Sequence, residues 1–97
     1  MSEIQKELIE RIVYTFAKKA SANEEVITGT INKLCSMNID DAIDSILVSL
    51  SGLLDKKVIN ENDILEQEEL LISLNPSKYP SIDTLKSRLK WIKEMNL

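Results

Sequence analysis

The sequence predicts an all-α fold, a small antiparallel bundle of four to five short helices forming a single helical domain over residues 1–97. Three observations carry that expectation. Apolar residues recur three and four positions apart along most of the chain, which gathers them on one face of a helix. Ser, Asn and Asp, the residue types that start helices, stand just ahead of those stripes. Only the segment from Asn75 to Ser81, which holds both prolines, is rich in helix breakers. A chain of this size can bury one small core.

Taken in order, Ile4, Leu8, Ile9, Ile12, Val13, Phe16 and Ala17 predict a helix over about 3–19. Ser21, with Glu24 three residues on, fits a capping box and opens a second helix striped by Ile27, Ile31, Leu34 and Cys35. Gly29 inside it costs about 1 kcal/mol against Ala, and is expected to admit a closely packed neighbouring helix. Asn38 fits the next N-cap, with Asp40 and Asp41 in the first turn, where acids complement the helix dipole. Ile39, Ile43, Ile46, Leu47, Leu50, Leu53 and Leu54 make the cleanest stripe, over about 39–57, with Lys56 and Lys57 in the last turn. Asp40 and Asp44 are expected to face away from it. Asn60 and Asp63 predict a further start and a helix over about 61–74. Residues 70–74, Leu-Leu-Ile-Ser-Leu, also read as a short strand, but no second strand exists to pair with them. Ser81 opens a last helix with Ile82, Leu85, Leu89 and Ile92 on one face.

The net charge of −4 is unevenly spread: residues 1–20 sum to +1, residues 21–77 to −8 and residues 78–97 to +3. An acidic middle argues against nucleic acid as a partner and for a basic protein. No apolar run is long enough to span a membrane. The charged start MSEIQKELIE lacks the apolar core of a secretory signal, and the single Cys35 suits a reducing cytoplasm.

The chemistry of an enzyme is not legible. The chain has no histidine, which removes the usual general base, zinc ligand and triad member. Cys35 has no base to activate it and reads as a buried structural thiol. The two glycines stand alone, so there is no phosphate loop. Residues 55–66 begin with Asp and end with Glu like a calcium loop, but Lys57 and Ile59 occupy ligand positions and Asn60 replaces the required glycine. No catalytic residue, metal or cofactor is expected.

Ala42-Ile-Asp-Ser-Ile46 resembles the attachment site of acyl and peptidyl carrier proteins, and Tyr79-Pro-Ser-Ile-Asp-Thr-Leu85 resembles the segment that opens their last helix. The resemblance implies a helical carrier with phosphopantetheine on Ser45. The sequence departs from that pattern in having Asp41-Ala42 where Leu-Gly is usual, and in an apolar stripe that runs unbroken through Ser45.

The expectation from the residues themselves is a small, acidic, non-catalytic protein-binding domain. Its nearest functional analogues are inhibitors of basic proteins, of the immunity-protein, antitoxin or phage-inhibitor type, an analogy of fold alone. The residues expected to meet the partner are Asp40, Asp44, Glu61, Glu66, Glu68 and Glu69, placed side by side on two consecutive antiparallel helices, and Trp91. A carrier modified at Ser45 is one alternative. Another is a self-associating adaptor, a homo-oligomer or part of a larger assembly, using Trp91 and Met95.

Overall fold

The computed structural model describes residues 1–95. The fold is all-α. The described residues form six helices: α1 (Glu3–Lys19), α2 (Glu24–Cys35), α3 (Ile39–Asp55), α4 (Glu61–Glu66), α5 (Glu68–Leu74) and α6 (Ile82–Met95).

Local side-chain chemistry sets most helix starts. Ser2 and Gln5 close a reciprocal capping box, each side chain bonding the other's backbone N–H. Asn38 Oδ1 accepts from Asp41 N–H at 2.9 Å, so α3 starts where the sequence places it. Asn60 and Asp63 close a second capping box at α4. The start of α2 is different from the expectation. Asn23, not Ser21, is its N-cap, accepting from Val26 N–H at 2.9 Å. Ser21 instead terminates α1. It takes the left-handed backbone, φ 59°, while Ser21 N–H bonds Lys18 O and Ala22 N–H bonds Ala17 O, the bond pair of a Schellman motif. Lys57 does the same for α3, with φ 59° and bonds from Lys57 N–H to Leu54 O and Val58 N–H to Leu53 O. Lys56 and Lys57 therefore lie beyond the last turn of α3 rather than inside it.

The expected helix over 61–74 is two helices. Residues 70–74 are helical, in α5, and Gln67 breaks the run with φ −103° and ψ 10°. The two pieces are tied to opposite ends of α1. Lys19 bonds Asp63 of α4, and Gln5 Nε2 donates to the Leu74 carbonyl that ends α5. α4–α5 thus runs antiparallel to α1, and the break lets each piece meet its own end.

α1 packs on α2 and α5, and α3 packs chiefly on α6. The core is built from Ile9, Ile12, Val13 and Phe16 of α1, from Ile27 and Leu34 of α2, from Ile43, Ile46, Leu47 and Leu50 of α3, and from Leu71, Leu74, Leu85 and Ile92 of the last two helices. Two connector residues join it: Ile59 and Tyr79 are each 4% exposed. Ile4 leaves the expected stripe at 71% exposed. At 100° per residue it stands about 140° around the helix from Ile9, on the wrong side. Cys35 is half-buried rather than buried. Gly29 admits no close neighbour, since a Cβ there would meet nothing within 4 Å.

Candidate protein-binding surface

The six acids of the expected patch do not form one surface. α6 occupies the place beside α3, and α5 lies against α1, so α3 and the α4–α5 segment are not laid side by side. Asp40 and Asp44 do not face open solvent as unpaired charges. Asp40 accepts from Asn75 Nδ2 at 3.1 Å and lies 3.5 Å from Lys78 Nζ. Asp44 receives a two-pronged contact from Arg88, Nε to Oδ1 at 2.9 Å and Nη2 to Oδ2 at 2.7 Å. Planar forks of this kind are the strongest carboxylate contacts that side chains make. The carboxylate in turn holds the Arg88 pKa above its ordinary value.

Arg88 has a second role. Its guanidinium lies over the Trp91 ring, 4.3 Å from the centroid, where the ring's negative face attracts it. Trp91 is thereby linked to Asp44 through one arginine. It does not close the end of the core, being 49% exposed. Val48, Trp91 and Met95 line one open groove between α3 and α6, together with the Asp44–Arg88 pair, Ser45 and Ser49. Arg88 and Val48 were not singled out by the sequence. The spacing Arg88, Trp91, Met95 was the available signal, since steps of three and four stack side chains on one helix face.

Glu61, Glu66, Glu68 and Glu69 lie together in sequence on α4 and α5. Among the described residues none of them is in an ion pair. Glu68 is half-buried and the other three are exposed. Leu65, in the middle of this segment, is 43% exposed. Asp63, also on α4, is committed elsewhere. The ammonium of Lys19, then the Asn60 N–H, hold its pKa below the usual carboxylate value.

No family model matches this chain. Neither a curated protein nor a solved structure matches it.

Ser45 occupies the second turn of α3, away from the helix start, and is half-buried. Its hydroxyl approaches the Met37 sulfur at 3.7 Å. Among the described residues no three His, Cys, Asp or Glu side chains cluster as a metal site would require, and no helix is long and apolar enough to cross a membrane.

Proposed function

We propose that this chain is a non-catalytic protein-binding domain that recognises a basic protein through its α4–α5 segment. One observation carries the reading. Of the acids expected to meet a partner, Asp40 and Asp44 are neutralised from within the chain, whereas Glu61, Glu66, Glu68 and Glu69 are not. Uncompensated charge of one sign speeds encounter with the opposite sign and disfavours partners of like charge. Leu65 supplies an exposed apolar side chain among those charges, and interfaces commonly set apolar area inside a polar rim. An inhibitor of a basic enzyme or toxin fits this pattern.

The test compares the chain with its E66Q/E68Q/E69Q variant as bait in the native host's extract at low salt. The expected result is a basic protein retained by the parent and lost by the variant, with an association rate for the purified pair that falls as salt rises. A partner held equally by both baits, at equal rates, overturns the acidic reading and moves the contact to another surface. No observation favours a carrier role for Ser45.

A further inference from the structure

α3 packs against α1, α2 and α6, and its outer side is covered by none of them. Along that side, at helical spacing, stand Asp41, Ser45, Val48, Gly52 and Lys56. Val48 is 48% exposed, and Trp91 and Met95 flank it from α6 at 49% and 66%. Three exposed apolar side chains thus share one groove. Gly52 is out of place in a helix interior, where glycine is destabilising relative to Ala. No contact within the chain requires it, because a Cβ there would meet nothing within 4 Å.

We propose that this face binds a second copy of the chain, with the two α3 helices antiparallel about a two-fold axis. The order of the residues selects both the occupant and the direction. Paired antiparallel about a centre between Val48 and Ser49, the face complements itself. Asp41 of each copy meets Lys56 of the other, and Ser45 meets Gly52. Asp41 and Lys56 are exposed, and neither is in an ion pair among the described residues. A parallel pairing would instead set Asp41 on Asp41 and Lys56 on Lys56, and would align the two helix dipoles unfavourably. Small residues at 45 and 52 let the two backbones approach, which carries Val48, Trp91 and Met95 of both copies into the seam. Asp55 borders Lys56 with the opposite sign, so the ion pairs fix direction and the apolar residues supply the affinity. The groove's own charges, Asp44 and Arg88, cancel each other, so it does not call for a strongly charged partner. Such a contact is isologous and closes at two copies. It uses a surface distinct from α4–α5 and stands or falls independently of the acidic reading.

The experiment is sedimentation of the full chain at low salt, from micromolar concentration to about 1 mM, the weak limit of specific association. The expected mass rises from 11.0 kDa toward twice that value. Emission from Trp91, the only tryptophan, should shift to the blue over the same range. Gly52→Leu has open space within one copy and puts a better helix former inside α3, so the variant should keep its circular dichroism and unfold at a thermal midpoint no lower than the parent's. Its dissociation constant should rise at least about tenfold, because the new side chain meets the second copy's Ser45. Lys56→Glu should weaken the dimer, and adding Asp41→Lys should recover it. A parent chain that stays at monomer mass throughout overturns the proposal and leaves the face to a different protein. So does a folded Gly52→Leu chain that associates like the parent, or a folded double variant that associates no better than Lys56→Glu.

Discussion

Ser21 and Lys57 both hold φ at 59°, the left-handed region where a Cβ is crowded and glycine is not. Their backbones are kept there because each closes the helix before it. Lys57→Gly is expected to stabilise the fold by about 0.5–1 kcal/mol, since relief of crowding exceeds the added freedom of glycine in the unfolded chain. Ser21→Gly should act in the same direction. Urea unfolding measures both, and a loss of stability would mean that the side chains make contacts stronger than the strain. Asp63 is the other residue with a definite sign. Lys19 and the Asn60 N–H lower its pKa in the folded chain. Stability from it is therefore present above the unfolded carboxylate pKa, near 4, and is lost as pH falls through the lower folded value. Asp63→Asn should be less stable than the parent at neutral pH, and the gap should narrow as pH drops below about 4. A gap that stays constant over that range would mean that the charge of the Asp63 carboxylate is not what stabilises the fold.

Gly29 interrupts α2 on its exposed side. Gly29→Ala should raise stability by up to about 1 kcal/mol through helix propensity alone. Leu50 in α3 is 3% exposed, and Leu50→Ala should cost about 2–5 kcal/mol, measured by the same unfolding. The contrast between elements that were legible and elements that were not has a physical origin. The starts of α3 and α4 could be read because an Asn side chain bonds a backbone N–H three residues away, within the same short stretch. Apolar stripes could be read because a helix repeats at a fixed angle, and that angle sets Ile4 outside the buried stripe of α1. Ser21 was misread because a small polar residue serves equally at a helix start and in a left-handed stop. The break at Gln67 was hidden because it depends on where α1 holds Asp63 and Leu74, which are set by the tertiary fold. Asp40 and Asp44 were misassigned for the same reason. Lys78 and Arg88, roughly forty residues downstream, reach them only once α6 is docked on α3.

Across the whole molecule, segment sums of charge were legible but their arrangement was not. The basic C-terminal segment returns to the start of α3 and pairs with Asp40 and Asp44, while Asp41 and the glutamates of α4–α5 are in no ion pair among the described residues. The molecule therefore holds two classes of acid, and they should respond oppositely to neutralisation. Asp44→Asn would leave Arg88 facing a neutral amide at a site where both side chains are less than a third exposed. After allowing for solvent screening, the expected loss is about 1 kcal/mol. Trp91 should report it too, because the guanidinium would no longer be anchored over the ring. Changing Glu61, Glu66, Glu68 and Glu69 together to Gln removes repulsion among like charges and breaks no ion pair seen in the fold, and this relief offsets the dipole interaction that Glu61, Glu68 and Glu69 give up in the first turns of α4 and α5. That variant should stay within about 0.5 kcal/mol of the parent or exceed it, with the gain largest at low salt, where the Debye length is long. Thermal and urea unfolding across ionic strength measure both variants on one scale. A fourfold glutamine variant that is clearly destabilised at every salt concentration would show that these side chains support α4–α5 itself. The proposed contact with a basic partner would then lose its basis, because a surface kept for recognition should be dispensable to the fold that carries it.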